Sequence, residues 1–328
     1  MNILVTGGAG FIGSNFVRFL LENEPESQVV NLDLLTYAGN LDNLTEVEDL
    51  PNYHFVEGNI TNKELVNHLV EVHEITHIVN FAAESHVDRS ILNPDVFIDT
   101  NVKGTLNLLS IALDKDIEKF VQVSTDEVYG DLEAEDYFTE DTPLAPNSPY
   151  SSSKAGADLL VRAYNETYGL DVNITRCSNN YGPYHFPEKL IPLMVTNAMD
   201  NKELPIYGDG KNVRDWLHVK DHCQAIYLVM TEGKSGEVYN VGGHNEQTNN
   251  EIVDIIVDEL DVSRDLIKYV DDRLGHDQRY AIDPTKIKND LDWEPEYTFD
   301  VGIKETIEWY QENEDWWRPL KERAKLDN

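Results

Sequence analysis

Thr125-Asp126-Glu127 sets two adjacent carboxylates behind a hydroxyl, at the end of the apolar run Lys119–Val123, which reads as a buried strand. Two carboxylates in different surroundings can hold different protonation states, so that one gives a proton and the other takes one. Further along, Tyr150 precedes Lys154 by four residues in a segment that follows Pro149. A helix starting there puts both side chains on one face. A tyrosine with a pKa near ~10 is a poor base at neutral pH unless a nearby cation favours the phenolate. A Tyr/Lys pair is equipment for nicotinamide redox chemistry; an acid/base pair is equipment for elimination. Held in one pocket, they combine oxidation with elimination. Each motif also has a plainer reading. Asp126-Glu127 could be a solvated acidic turn and Tyr150 a core residue of an amphipathic helix. A surface turn does not usually sit between an apolar strand and Val128-Tyr129-Gly130, and a lysine one turn from Tyr150 favours the chemical reading.

The cofactor such a pair would need has its own signature. Val5-Thr-Gly7-Gly8-Ala-Gly10-Phe-Ile-Gly13 follows one apolar run and opens a helical pattern. Glycine is required where the backbone turns sharply, approaches a pyrophosphate or packs helix against strand, and the helix N-terminus offers N–H groups and a positive dipole. Asp33 lies twenty residues beyond Gly13, at the end of the next apolar run. A carboxylate there binds ribose hydroxyls and repels a 2′-phosphate, which favours NAD over NADP. Leu34, Leu35 and Thr36 are assigned to the same binding surface.

These residues need a scaffold. Strands are expected at Ile3–Thr6, Val29–Asp33, Tyr53–Glu57, His77–Phe81, Phe120–Ser124 and Val172–Arg176, and helices at Phe11–Leu21, Lys63–Val72 and Val96–Leu113. The alternation predicts an α/β fold of Rossmann type: a doubly wound parallel sheet with a smaller C-terminal α/β domain for the substrate. After Cys177, proline and glycine become frequent, while Val238–Val241 reads as a strand returning to the sheet and Val301–Tyr310 as a short amphipathic helix. The expected division is residues 1–176 with about 213–242 for the cofactor, and about 177–212 with 243–328 for the substrate.

Composition excludes several classes. The 328 residues include 61 Asp plus Glu against 26 Lys plus Arg, a formal charge of −35, so nucleic acid is not an expected partner. No apolar run approaches the ~20 residues of a membrane-spanning helix, and Met1-Asn-Ile-Leu-Val-Thr6 enters a strand without the features of a secretory signal. Two cysteines, Cys177 and Cys223, make no disulfide framework, so a reduced cytoplasm is expected. The acids are dispersed rather than gathered in a tail. This leads to the expectation of a high-salt cytoplasm, with an ordinary acidic enzyme as the alternative. No His/Cys cluster has metal spacing, and no metal is expected.

The glycine turn, Tyr150-x-x-x-Lys154 and Thr125-Asp126-Glu127 resemble the extended short-chain dehydrogenase/reductases, and within them the dTDP-glucose 4,6-dehydratase family. Ala82–Ser90, Arg176–Leu190, Arg214-Asp-Trp-Leu-His218 and Gly275-His-Asp277 extend the likeness over nearly the whole chain. The resemblance implies a homodimer, tightly held NAD recycled in each turnover, and a nucleotide-sugar substrate, dTDP-glucose. It places Phe11, Ile12, Asp33, Asn59, Ile60, Phe81, Ala82, Ala83, Ser85, Thr100, Tyr150, Lys154 and Asn180 around the cofactor. It places Ser85, Thr125, Asn179, Lys189, Leu190, Pro205, Tyr207, Arg214, Asn249, Asp272, Arg273 and His276 around the substrate. Asp126 is implied as the acid and Glu127 as the base; the residues alone say only that two carboxylates are present. Where the family has Gly-Asp-Ile after the third strand, this chain has Gly58-Asn59-Ile60, whose amide carbonyl can still accept a bond from adenine. His276 could equally be a structural hydrogen-bonder. Sibling chemistries stay open: a sugar-nucleotide 4-epimerase or decarboxylase, which needs no elimination pair, and other nucleotide-sugar dehydratases, against which Tyr184-His-Phe-Pro-Glu188 argues. A non-catalytic NAD-binding sensor would not need the four catalytic groups. Thymine against uracil, and rhamnose, amino-sugar or surface-glycan use of the product, are open at this stage.

Overall fold

The computed structural model describes residues 1–132, 136–272 and 277–326. In chain order the elements are β1 (Asn2–Thr6), α1 (Phe11–Asn23), β2 (Gln28–Asp33), β3 (Tyr53–Glu57), α2 (Lys63–Val72), β4 (His77–Asn80), α3 (Val87–Leu92), α4 (Pro94–Phe97), α5 (Thr105–Asp114), β5 (Lys119–Thr125), α6 (Pro149–Tyr168) and β6 (Val172–Cys177). They continue with β7 (Asn179–Tyr181), α7 (Leu190–Met199), β8 (Leu204–Tyr207), β9 (Val213–His218), α8 (Val219–Glu232), β10 (Val238–Val241), β11 (Glu246–Thr248), α9 (Asn249–Glu259), β12 (Ile267–Val270), α10 (Thr285–Leu291), α11 (Phe299–Glu312) and α12 (Glu314–Leu326).

The central sheet has seven strands in the order β3-β2-β1-β4-β5-β6-β10, every pair parallel. Parallel strands joined by helical crossovers are covered on both faces, which is why β5 and β6 are buried at every residue. One apolar layer packs Phe16, Val17 and Leu20 of α1 with Ile226 and Val229 of α8. The other packs Leu69 of α2, Leu108 and Leu109 of α5 and Val161 of α6. The strand order reverses between β1 and β4, so a crevice opens there at the carboxyl ends of the strands. A third apolar cluster joins α7, α9 and α11 to Trp216 and Trp317.

Three elements differ from the sequence expectation. The helix expected over Val96–Leu113 is divided into α4, a π-type segment Ile98–Gly104 and α5. Ile60 presses against Gly104 so closely that a Cβ there would lie 2.4 Å from Ile60 Cδ1. Residues 213–218, expected with the cofactor region and not read as a strand, form β9, which pairs with β7 and β11 in a separate three-stranded sheet, while β10 does return to the large one. Beyond α11 the chain forms a further helix, α12, despite Pro319 within it. Among the described residues, no helix is long and apolar enough to cross a membrane.

Candidate active site

A cleft of about 980 Å³ opens at the crevice and runs from the glycine turn to β8, α9 and Tyr280. At its inner end Gly7 has φ +71°, and a Cβ there would lie 2.6 Å from Ala82 N. A Cβ on Gly13 would strike Gly7 O at 2.3 Å, so the helix can approach the turn only without one. Gly10, by contrast, would carry a Cβ no nearer than 3.4 Å to its closest neighbour, so its backbone opens to the cleft ahead of the first N–H groups of α1. Asp33 ends β2 and is 8% exposed; its Oδ2 accepts from Ala9 N at 2.9 Å and its Oδ1 from Leu35 N at 2.8 Å. Burial raises the carboxyl pKa and the two amides oppose the rise. A carboxylate has acceptor capacity beyond those two bonds. A cradle without side chains, a helix N-terminus and a fixed carboxylate fit the pyrophosphate and ribose of a dinucleotide. Phe11, Ile12, Leu34, Thr36, Ile60, Phe81, Ala82, Ala83, Thr100 and Asn180 line the same cleft. Leu35 does not; it packs on the core and gives only its amide, at φ +53°. Asn59 lines the cleft, but its Oδ1 already accepts from the Thr61 amide and hydroxyl, both at 2.9 Å, which occupies the carbonyl expected to meet adenine.

The reactive groups sit at the middle of the cleft. Ser148 caps α6 in a reciprocal box with Ser151, and Pro149 occupies the first turn, which fixes the rotation of the helix. Tyr150 and Lys154 consequently face inward, 8% and 4% exposed. Lys154 Nζ donates to Val123 O at 2.7 Å. Burial pushes the Tyr150 phenol well above its ordinary range and the charges of Glu127 and Asp126 add to this, while a hydrogen bond from Thr125 favours the phenolate. Burial lowers the Lys154 ammonium. β5 delivers Thr125 at its last residue, and the chain then turns through a 3-10 segment, Asp126–Tyr129. Thr125 Oγ1 accepts from Glu127 N at 3.2 Å and lies 3.3 Å from Asp126 Oδ1. Asp126 is 2% exposed, with no hydrogen-bond partner on Oδ2. Burial raises its pKa well above the carboxylate range, followed by the charges of Glu127 and Asp215; Arg214 opposes the shift. Glu127 is only half-buried, so the two neighbouring carboxyls occupy different environments.

The far wall carries Asn179, Lys189, Leu190, Pro205, Tyr207, Arg214 and Asn249. Lys189 Nζ reaches back to Ser85 O at 3.3 Å, linking this wall to the segment after β4. Arg214 is 6% exposed, lies 4.3 Å over the Tyr280 ring and donates to Val213 O and Asp277 O at 2.8 and 2.9 Å. Its guanidinium is thus already oriented, and its charge acts on Asp126 as well as on any anion in the cleft. Asp272 is exposed against Gly208 and does not line the cleft. Arg273 and His276 lie outside the described residues.

Residues 4–306 match the family profile described as GDP-mannose 4,6 dehydratase. The chain belongs to the GDP-mannose 4,6 dehydratase family. Within or beside that family, it is 56% identical over 310 residues to a Haloferax volcanii protein named "Low-salt glycan biosynthesis protein Agl12", covering 94% of this chain and 98% of that one. It is similar to a dTDP-glucose 4,6-dehydratase from Bacillus anthracis solved in complex with NAD, with 57% identity, a TM-score of 0.92 and coverage of 98% and 99%. A dTDP-glucose 4,6-dehydratase from Streptomyces venezuelae, solved with NAD and TYD bound, gives 52% identity, a TM-score of 0.95 and coverage of 98% and 100%.

In this member of the GDP-mannose 4,6 dehydratase family the cleft also holds residues that sequence reasoning missed. His185 stacks on Phe11 at 4.2 Å, and burial lowers its pKa to about 3. Glu188 meets Arg89 at 3.5 Å, and Arg89 lies 4.1 Å over Tyr37. Tyr280 and Lys321 approach from late in the chain. His185 and Glu188 stand inside a segment already singled out; Tyr280 and Lys321 carry no local signal.

Proposed function

We propose that the protein converts dTDP-glucose to dTDP-4-keto-6-deoxyglucose with loss of water, as a hydro-lyase that uses NAD and restores it. The observation that carries this reading is that Tyr150 and Lys154 share one cleft with Asp126 and Glu127, opposite Arg214 and Lys189. The glycine turn, Asp33 and the residues around them would hold NAD, which would supply a hydride acceptor for C4 and a hydride donor for C6.

Tyr150 takes the proton of the C4 hydroxyl, with Lys154 as the cation that favours its phenolate. A ketone at C4 acidifies the hydrogen on C5, and Glu127 removes it. Asp126, kept protonated by burial and by its anionic neighbours, gives its proton to the departing C6 hydroxyl. Glu127 then holds a proton for return to C5. Thr125 bonds to the C4 oxygen. Arg214 and Lys189 hold the anionic diphosphate, for which a preset guanidinium fork is well suited. Leu190, Pro205, Tyr207 and Asn249 receive the nucleoside. Incubation of the purified protein in molar KCl with dTDP-glucose, and in parallel with UDP-, GDP- and CDP-sugars, tests the reading. Loss of one water from dTDP-glucose without net reduced nicotinamide is expected; a C4 epimer without loss of water would refute it.

The assembly is a homodimer in this reading. Ile98, Leu106 and Leu159 are 43%, 39% and 57% exposed along the π-type segment, α5 and α6, an apolar face that a second copy would cover. Light scattering on the eluting protein tests this. The cofactor region comprises the large sheet and its helices, and the substrate region the elements around β7–β9, α7, α9 and α11. The setting is a cytoplasm of high salt, consistent with the charge of −35, and the product feeds glycan assembly, as the name of the Haloferax relative suggests.

A further inference from the structure

One buried carboxylate beside the cleft has no part in the chemistry above. Asp158 stands on α6 four residues after Lys154 and eight after Tyr150, so the three side chains share one face at successive turns. It is 1% exposed. Its Oδ2 accepts from Arg176 Nε at 2.9 Å, while its Oδ1 has no hydrogen-bond partner. Arg176, on β6, also donates from Nη1 to Tyr129 OH at 3.0 Å, and Tyr129 donates onward to Asn240 Oδ1 at 2.7 Å. The guanidinium is therefore fixed between α6 and the turn after β5, whose Tyr129 is anchored in turn to β10. It holds Oδ2 of Asp158 and leaves Oδ1 without a hydrogen bond. A buried carboxylate with half its acceptors unused is costly unless another cation shares it.

Lys154, one turn back on the same face of α6, is the cation on which the Asp158 charge acts through space. Its ammonium has three donors, and one is used on Val123 O. Of the other groups around it, Cys177 alone joins Asp158 in favouring the ammonium, and ranks after it. Cys177 of β6 is neutral, its thiol pushed up to about 12 by burial. Asp126 and Glu127, from the turn after β5, act on Tyr150. On the helices packed against the other side of α6, Asp99 and Lys103 pair with each other at the surface, and Arg89 is paired with Glu188. Asp158 is the foremost group favouring the Lys154 ammonium against its burial.

We propose that Asp158, gripped by Arg176, is a positioning residue that keeps Lys154 charged beside Tyr150 and so makes Tyr150 competent as the base for C4 oxidation. The chain thereby uses a buried ion pair on the back of α6 to set the electrostatics of its catalytic face. The inference rests on Tyr150 being that base.

Asp158→Asn tests it, because the amide oxygen can still accept from Arg176 while the charge is removed. The substrate is dTDP-xylose, which has no C6 hydroxymethyl and cannot eliminate, so absorbance at 340 nm reads C4 oxidation alone and Asp126 does not enter. The alkaline limb of the oxidation rate, set by loss of the Lys154 proton, is expected to move down by about one pH unit, which makes the variant about tenfold slower above the limb. Asp158→Glu, which restores the charge, should return the limb. NAD content and melting temperature in molar KCl, measured on the same preparations, report the fold. A uniform fall at every pH with a lowered melting temperature would make the pair merely structural and overturn the proposal, as would an unmoved profile. If Asp158→Asn does not fold, Arg176→Gln removes the opposing cation and should move the limb upward; an unmoved limb again overturns the proposal. Tyr150→Phe is run alongside. A Phe variant that still oxidises C4 brings down the reading of the base, whereas an inert Phe variant with an unmoved Asp158→Asn profile brings down only the role of Asp158.

Discussion

Asp126→Asn should divide the reaction at its middle. The Asp126 carboxyl is 2% exposed and its pKa is raised by burial, by Glu127 and by Asp215, so it is the group in the cleft suited to carry a proton at neutral pH. Asparagine fills the same space and can bond to Thr125, but has no proton to give to a departing hydroxide. General-acid assistance is worth ~10²–10⁴ in rate, or about 3–5 kcal/mol of barrier. Turnover on dTDP-glucose should fall by that range. C4 oxidation, which depends on Tyr150 and Lys154, should proceed, so absorbance at 340 nm should rise rapidly toward one reduced nicotinamide per site and then hold. In D₂O the stalled Asp126→Asn variant should exchange the C5 hydrogen for deuterium, because Glu127 remains. Glu127→Gln should stall without that exchange. The pH dependence has a definite sign: the acid is lost as pH rises through the raised pKa of Asp126, so the parent loses elimination on the alkaline side. Turnover within tenfold of the parent would show that Asp126 is not the acid. Loss of the 340 nm burst would place it in the oxidation step instead.

Four further outcomes follow from the same geometry. Gly7→Ala meets Ala82 backbone at 2.6 Å and φ +71°, and should cost about 2–4 kcal/mol of stability, read by thermal melting; an unchanged melting temperature contradicts the cradle. Asp33→Ala removes the acceptor of the Ala9 and Leu35 amides, and calorimetry should give at least about tenfold weaker NAD binding and less discrimination against NADP; retained preference for NAD would assign that choice elsewhere. Asp33, Glu84, Asp126, Glu140, Asp215 and Asp221 all have carboxyl pKa values raised by burial. Stability from such groups is full below their unfolded pKa near ~4 and is lost as pH rises through the folded value, so the melting temperature in molar KCl should rise from pH 8 toward pH 5.5, and a fall would refute this. With a charge of −35 and a Debye length of ~3 Å at 1 M but ~8 Å at 0.15 M, KM for the anionic substrate should increase as KCl is lowered; a decreasing KM would mean that the cations of the cleft dominate the field.

How much of this was legible depended on whether the physics was local. β1, β2, β4, β5 and β6 are covered on both faces and therefore appear as apolar runs. The glycine turn declares itself because three backbone constraints fall at fixed spacing, and the start of α6 because Ser148 and Pro149 are themselves a start signal. Tyr150, Lys154, Asp126 and Glu127 could then be placed in one cleft from sequence, since each stands at the end of an element whose direction was known.

β9 was illegible for the opposite reason. Arg214, Asp215 and His218 are polar and yet buried, and what allows their burial is tertiary: Arg214 is held by the carbonyls of Val213 and Asp277, and Asp215 by the amides of Gly243 and Asn245. A hydrophobic pattern cannot say which sheet such a strand joins. α12 is the extreme case. Trp316 Nε1 donates to Asn43 Oδ1 at 2.8 Å, and Arg323 donates to the Tyr37 and Gly39 carbonyls, from positions 273 to 286 residues away. These bonds tie the last helix onto the loop after β2, and Asn43 Nδ2 in turn holds Ala9 O at 2.9 Å in the glycine turn. A proline-containing, charged segment reads as a weak helix on its own; its order comes from the loop it clasps. The same asymmetry governs Asn59. Its side chain was legible as an acceptor, but the acceptor is satisfied two residues away by Thr61, a local bond that competes with any ligand for the same oxygen. Sequence identifies which groups can react, and the partners that bury, orient or preoccupy those groups decide what each one has left to offer a substrate.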